Sequence, residues 1–387
     1  MRRGPPVDIA IVGAGPVGGT LALAIADADL SVVAFDTRER GATLRGDRSL
    51  AISHGARLIF DRLGIFPRLA AIPGAVTAID SVDISQAGGF GVTTLRAAEA
   101  GVPALGYVVS YRALQSAIDA ELARTQTQVR FASTVTRVSG MPMHALVTTS
   151  EGDAVEAKLA VVADGTGTAV DGVTRERRDY GQVALIAKIT TEAPHAGAAY
   201  ERFTPSGPVA LLPEHGEYGL VWTMSPSAAQ RALELPDAEF LNELHQHFGK
   251  RRNDFLGVRE RKTFPLALEF ARPIAASHCV LIGNAAQSLH PIAGQGFNLG
   301  LRDAFELAQA IKRAPSETIG DRAMLARYAA GRSLDRYAGI AFTHGLARLF
   351  ALDAAIFRWP RGLGLALLDA LPPAKRAFTR TMLFGLT

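Results

Sequence analysis

Cysteine is almost missing from this chain: Cys279 stands alone among 387 residues. No intrachain disulfide can form, which fits a reducing cytoplasm. Its neighbours Val280, Leu281 and Ile282 are apolar, so an inert core thiol is expected rather than a reactive one. Long apolar runs are missing too. No uninterrupted segment reaches the roughly 18 residues needed to cross a bilayer, so a soluble or peripheral protein is expected. Met1-Arg2-Arg3 ahead of Ile9 to Val12 has the outline of a signal peptide, but Asp8 and the glycines that follow interrupt it. A first strand and turn is the better reading. Charge of one sign never accumulates. Lys+Arg 41 against Asp+Glu 37 gives 41 − 37 = +4, and the positive residues are scattered. That argues against a nucleic-acid partner and leaves only weak attraction to an anionic membrane. Tandem repeats and low-complexity linkers are absent, and no metal site is expected.

What is present suits a large core and two domains. Val7 to Val12 reads as a buried parallel strand, Gly18 to Ala28 as a helix and Leu30 to Asp36 as a second strand, together a βαβ unit. Ala51 to Leu63 and Tyr111 to Thr125 read as helices, the latter on the repeat Leu114, Ile118, Leu122. Val129 to Val138, Ala145 to Thr149 and Lys158 to Ala163 read as strands returning to the first sheet. Val76 to Leu95 and Gln182 to Arg261 alternate apolar with polar residues, as half-buried antiparallel sheet does. The expected fold is therefore mixed α/β. A Rossmann-like nucleotide-binding domain (1–75, 96–181 and 262–330) carries an inserted β-rich substrate domain (76–95 and 182–261), followed by a helical region (331–387).

The glycines carry the chemistry. Gly13-Ala14-Gly15-Pro16-Val17-Gly18 joins the first strand to its helix. Gly13 permits the tight turn, Gly15 lets a pyrophosphate approach the backbone, and Gly18 allows close helix–strand packing. Asp36 closes the second strand, where a carboxylate accepts hydrogen bonds from ribose hydroxyls. This pattern implies a dinucleotide without choosing which. Two further segments stand far downstream. Val161-Val162-Ala163-Asp164-Gly165-Thr166-Gly167-Thr168 places Asp-Gly after a strand. Gly283-Asn284-Ala285-Ala286-Gln287-Ser288-Leu289-His290-Pro291 runs on through Gly294-Gln295-Gly296-Phe297-Asn298 to Arg302-Asp303, between a strand and a helix.

These three segments together resemble the motifs of the FAD-dependent aromatic hydroxylases, over nearly the whole chain. The resemblance implies FAD as cofactor and NAD(P)H as electron donor. It implies a C4a-hydroperoxyflavin that hydroxylates an activated phenol with O₂. It assigns Gly13, Gly15, Pro16, Val17, Gly18, Asp36, Asp164, Gly283, Asn284, Pro291, Gly294, Gln295, Gly296, Phe297 and Asn298 to the cofactor. Arg48 and Arg112 join them, the first near the flavin and the second near its phosphates. The chain departs from the pattern twice. Asn284 stands where the family norm is aspartate, and Asp171 stands where an arginine usually meets NADPH, although Arg175 and Arg177 lie nearby.

The Asn-Ala-Ala-Gln core and the stretch from Ala199 to Pro213 are most similar to the ubiquinone-biosynthesis branch, the 2-polyprenyl-6-methoxyphenol hydroxylases above all. A polyprenylated phenol is then the implied substrate. His54, His195, Tyr200, His215, Tyr218 and His290 are contributors to phenol activation among which the sequence does not choose. Arginines interleaved with apolar residues after position 340 suit either peripheral contact with the inner membrane face or a helix covering the nucleotide domain. Contact with a biosynthetic complex is a further implied partner. A prenyl reductase and a non-catalytic assembly subunit are the alternatives. A halogenase is disfavoured, because Trp222 and Trp359 form no Trp-x-Trp-x-Ile-Pro pattern.

Overall fold

The computed structural model describes residues 4–42, 48–165, 167–249, 254–290, 292–351 and 355–386. Met1, Arg2 and Arg3 lie outside them, as do the motif residues Thr166 and Pro291. The chain opens with β1 (Val7–Val12), α1 (Pro16–Ala24) and β2 (Val32–Phe35). Next come β3 (Ser49–Ser53), α2 (His54–Arg62), α3 (Ile65–Ala70) and β4 (Val76–Ile79). A hairpin, β5 (Ser81–Gln86) and β6 (Val92–Arg96), leads through the single turn α4 (Ala97–Ala100) to β7 (Gly106–Ser110) and α5 (Tyr111–Leu122). The chain returns along β8 (Gln128–Arg130), β9 (Val135–Gly140), β10 (Ala145–Thr149), β11 (Ala154–Val162) and β12 (Ala169–Val170).

Long strands follow: β13 (Thr174–Thr191), β14 (Ala198–Thr204), β15 (Gly207–Glu214) and β16 (Glu217–Met224). After α6 (Pro226–Glu234) and α7 (Asp237–Phe248), β17 (Phe255–Arg272) runs back beside β13. The short strands β18 (Ala275–Ala276), β19 (Cys279–Leu281) and β20 (Gln287–Ser288) lead to α8 (Gln295–Arg313). Three helices finish the chain: α9 (Arg322–Ala351), α10 (Ala355–Ala370) and α11 (Pro372–Phe384).

The first sheet has the order β12-β9-β10-β11-β1-β2-β8, with β19 added to β11. Its centre is parallel: β1 pairs β11 and β2, and β11 pairs β19. The helix α1 packs against β1 and β2, and Ile9, Ala10, Ile11, Val161 and Val162 are fully buried, as continuous apolar strands in a parallel sheet are. The second sheet has the order β20-β17-β13-β16-β15-β14-β5-β6 and is antiparallel except where β14 meets β5. A small sheet, β3-β7-β4, lies between them in the chain. The expected borders at 181/182 and 261/262 fall inside β13 and β17, which run unbroken from one region into the other.

Four local expectations change. The single strand expected over Val129 to Val138 is divided into β8 and β9. The helix expected from Ala51 starts at His54, because Ser49–Ser53 pairs with β7. Ser53 then caps the helix through the Ala56 N–H at 3.2 Å. The sheet expected throughout 182–261 is interrupted by α6 and α7, which cover it with Phe240, Leu244 and Phe248. The helix expected after the Gly283 to Asp303 segment starts within it, at Gln295. Gly296, Phe297 and Asn298 therefore lie in its first turn. Cys279 is fully buried, and burial pushes its thiol up to about 12, so it is the inert core residue expected.

Candidate functional site

The glycine-bearing bends meet. Gly13 adopts φ +98°, and a Cβ there would lie 2.8 Å from Asp164 Cα. The first turn thus touches the Asp164-Gly165 bend with backbone alone. A Cβ on Gly18 would lie 1.9 Å from the Gly13 carbonyl oxygen, which is how tightly α1 folds back on its own entry. A Cβ on Gly283 would meet Val17 at 3.1 Å, and one on Gly300 would meet Gly283 Cα at 2.9 Å. Segments 13–18, 164–165, 283–284 and the start of α8 are therefore immediate neighbours. The side they share is open: Gly15 and Gly165 have nothing within 4 Å of an added Cβ, and Asn284 is exposed.

A nucleotide fits this cradle. The N–H groups opening α1 and α8 have no intrahelical partners, and their helix dipoles favour negative charge. Gly15, at the N-cap of α1, supplies no side chain that could block the approach. Gly294, with φ +59°, plays the same part before α8. Pro16 and Val17 occupy the first turn of α1, where a missing proline N–H costs nothing.

The other expected ligands fall in different surroundings. Asp36 is buried at the end of β2, and its carboxylate accepts from the Arg38 N–H at 2.8 Å, Arg38 Nε at 3.1 Å and Nη2 at 2.9 Å. Arg38 also reaches Asp119 at 3.0 Å, so the carboxylate that would meet a ribose is held in position from behind. Asp164 points into its own turn, where Oδ2 accepts from the Thr168 N–H at 2.9 Å and hydroxyl at 2.6 Å. The Asn298 side chain is spent on structure. It accepts from the Ser53 N–H at 2.7 Å and donates to Ala51 O at 3.1 Å and Gly294 O at 2.8 Å, which leaves its backbone for a ligand. Phe297 packs against the main core, and Gln295 Nε2 approaches Met382 Sδ at 3.7 Å. Arg48 is exposed and lies over the Tyr111 ring at 4.5 Å. Arg112 is exposed at the start of α5.

The supports of these loops are the residues that sequence reading missed. Gln115, three residues beyond Arg112 on α5, donates to Ala14 O at 3.0 Å and pins the first glycine turn. Arg175, which the sequence placed only beside the expected NADPH contact, donates to Gly165 O, Thr168 O and Ala285 O, each at 3.3 Å. It fastens the second bend to the third. Beneath the third bend lies a buried charge network. Asp303 accepts from the Gly283 N–H at 3.3 Å, Gln287 Nε2 at 2.7 Å and Arg332 Nε at 2.9 Å. Asp335 accepts from Arg332 Nη2 and Arg302 Nε, both at 2.9 Å. Burial would raise the Asp335 carboxyl, but Arg302 and Arg332 beside it hold it below its ordinary range. Arg336 donates to Gln287 Oε1 at 2.9 Å and Ala271 O at 2.7 Å. The four-residue interval between Arg332 and Arg336, one helical turn, was the available signal.

Next to the α8 start lies an apolar cavity of about 520 Å³. Ala51, Ile52, Ser53, Gly294, Gln295 and Asn298 line one side. The second sheet contributes Val82, Tyr200, Ala210 and Leu212; the last three helices contribute Leu346, Leu365, Leu368 and Leu383. Of the six side chains considered for phenol activation, that of Tyr200 borders this space only from the strand beside it: its ring turns to the opposite face of the second sheet, against Tyr218 and Phe248. Tyr218 is buried in the core of the second sheet. His195 Nε2 lies 2.7 Å from His215 O, which ties the β13–β14 turn to the β15–β16 turn. His54 is buried at the start of α2, with burial pulling its imidazole down. His290 is buried against Tyr180, ring centroids 5.2 Å apart, and burial pulls its pKa down to about 4.

The FAD binding domain family matches this sequence over residues 6–337. The chain belongs to the FAD-binding aromatic hydroxylases. Among its relatives, ubiquinone hydroxylase UbiL of Rhodospirillum rubrum is 35% identical over 384 residues, covering 96% of this chain and 88% of that protein. The 3-demethoxyubiquinol 3-hydroxylase of Escherichia coli is 27% identical over 383 residues, covering 96% and 97%. This hydroxylase therefore groups with the ubiquinone-biosynthesis branch, as its Asn-Ala-Ala-Gln core implies. In fold it is similar to p-nitrophenol 4-monooxygenase PnpA from Pseudomonas putida, with a TM-score of 0.79, 16% identity and complete coverage of both chains. Among the described residues no helix is long and apolar enough to cross a membrane.

Proposed function

We propose that this chain hydroxylates a polyprenylated phenol of ubiquinone biosynthesis, using FAD, O₂ and NAD(P)H. The observation that carries the reading is the apolar cavity itself. It begins at the α8 start, where the family's flavin ring would lie, and continues between the second sheet and the last three helices. Its size falls within the range usual for small-molecule sites.

In this reading the Gly13–Gly18 turn and the α1 N-terminus hold the pyrophosphate, and Asp36 holds the ribose. Asn284 would hold the ribityl chain, and Arg48, Arg112 and Gly294 to Asn298 would hold the rest of the cofactor. Bound FAD would supply the reduction and activation of oxygen that places one oxygen atom on the phenol. The chain's own residues do the rest. The first-turn N–H groups of α8 stabilise negative charge at the ring edge. The apolar walls exclude water and shelter the isoprenoid tail, each unit of which costs roughly 3–4 kcal/mol when exposed. A phenol of pKa about 10 costs roughly 4 kcal/mol to ionise at pH 7, a cost that the binding site must offset in part. We further assign 76–95 and 182–261 as the substrate-facing part, 1–75, 96–181 and 262–330 as the cofactor-binding part, and 331–387 as the cavity's remaining wall.

The test is isotopic. The FAD-loaded protein is given NADH or NADPH, a prenylphenol and ¹⁸O₂. One labelled oxygen in the hydroxylated product supports the reading; label entering from H₂¹⁸O instead defeats it. Bleaching of the flavin absorbance by each nicotinamide in turn identifies the electron donor.

A further inference from the structure

The helix α10 has two apolar faces, and the cavity accounts for one. Pro360, Gly364, Leu365 and Leu368 line the interior. On the outside, Trp359, Leu363 and Leu367, with Leu371 just past the helix end, recur at four-residue intervals, and they are 73%, 52%, 47% and 51% exposed. Such spacing makes one continuous stripe. Phe90, 43% exposed, extends it from the β5–β6 turn, with its ring centroid 4.9 Å from that of Trp359.

This patch is built, not frayed. A Cβ on Gly91 would lie 2.1 Å from Gly362 O, and a Cβ on Gly362 would lie 2.4 Å from Phe90 O. The two backbones therefore touch, and the pair of glycines is what sets Phe90 beside Trp359. One helical turn past Leu365, Asp369 accepts from the Thr94 N–H at 3.3 Å and from Lys375 at 3.0 Å, anchoring the other end of α10. The following helix adds Arg376 and Arg380, both exposed.

We propose that this outer face of α10 seats the protein on an anionic lipid bilayer. On that surface α10 separates the acyl-chain region from the cavity, so an isoprenoid tail passes beside it without crossing water. A tryptophan with leucines on one side and arginines nearby is the composition of an interfacial helix. The basic residues favour anionic headgroups, and the inward apolar face continues the path. The role of α10 as a passage rests on the proposed prenylphenol substrate; the lipid contact itself does not.

The experiment uses the full chain loaded with FAD, and vesicles of phosphatidylethanolamine and phosphatidylglycerol without substrate. Sedimentation with the vesicles is expected, along with a blue shift of tryptophan fluorescence. Trp222 is buried, so the shift reports Trp359. The double variant Trp359→Ser/Leu363→Ser should lose about ten-fold or more in partitioning. Arg376→Gln/Arg380→Gln should lose affinity mainly for the anionic vesicles. Both should keep full flavin content, which shows that they fold. Failure of the wild type to bind, or a stripe whose removal instead dissolves a dimer in size exclusion, overturns the proposal. Vesicle binding without phenol hydroxylation would defeat the proposed reaction alone; hydroxylation of a short-tailed phenol without vesicle binding would defeat this inference alone.

Discussion

The carboxylate of Asp303 accepts a hydrogen bond from the backbone N–H of Gly283, 3.3 Å away and on the far side of the expected ribityl-binding bend. The same carboxylate is gripped by Arg332, which is almost wholly buried. Asp303→Asn keeps the shape and removes the charge. Arg332 is left with Asp335 alone, and breaking a buried ion pair on one side costs about 3 kcal/mol or more. We expect a lower midpoint in urea unfolding and reduced flavin content. An unchanged midpoint with full flavin would remove this network from the account.

Gly15 and Gly18 should separate binding from folding. An added Cβ at Gly15 meets only open space, whereas at Gly18 it strikes the Gly13 carbonyl. Gly15→Asp should therefore give a folded protein without FAD, since a carboxylate would face the pyrophosphate. Gly18→Ala should disrupt the α1 entry and lower stability by about 1–3 kcal/mol, the usual cost of overpacking. Circular dichroism with flavin absorbance checks both. A yellow Gly15→Asp protein would contradict the placement of the pyrophosphate.

Asp36→Ala should act more gently. Loss of one charged hydrogen bond costs roughly 1.5–3 kcal/mol, which is about ten-fold or more in FAD affinity. Titration calorimetry of the flavin-free protein reads this directly. Unchanged affinity would mean that Asp36 serves Arg38 and not the ribose.

His290 predicts an acid-sensitive step. Its pKa lies near 4 in the folded chain, against an ordinary value of about 6.5. The unfolded state therefore binds the extra proton first. The stabilising effect of the neutral ring is complete above pH 6.5 and declines as pH falls toward 4, by up to about 3 kcal/mol. His290→Phe retains a ring against Tyr180 and should flatten the stability profile across that window. A wild-type profile already flat between pH 6.5 and 4 would refute the assignment.

Ala210 lies in the cavity wall on β15. Ala210→Phe fills space there, so a long-tailed phenol should lose about ten-fold in kcat/KM, while a short-tailed one loses little. Equal loss for both would place the tail elsewhere.

The backbone demands of the glycine turns were legible along the chain. Gly13 and Gly294 sit at positive φ, and Gly18 at a contact that admits no Cβ. Those are requirements of a few consecutive residues, so sequence displays them. The α8 start was misjudged because Gly294 to Gly300 holds three glycines, poor helix formers on their own; Asn298 and the buried flank of α8 overrule that preference by tertiary bonding. The α6 and α7 helices were hidden in a region judged by its strands.

By itself the sequence determined the βαβ entry, the glycine turns and the family, because each depends on short-range backbone geometry and residue order. The tertiary structure alone decided that Arg175 and Arg332 are struts, that Asn298 serves its own helix, and that α9 to α11 wall an apolar cavity. Those outcomes depend on partners up to hundreds of residues apart, as with Asn298 and Ser53. Only the burial that folding imposes determines which of two equally apolar helix faces turns inward.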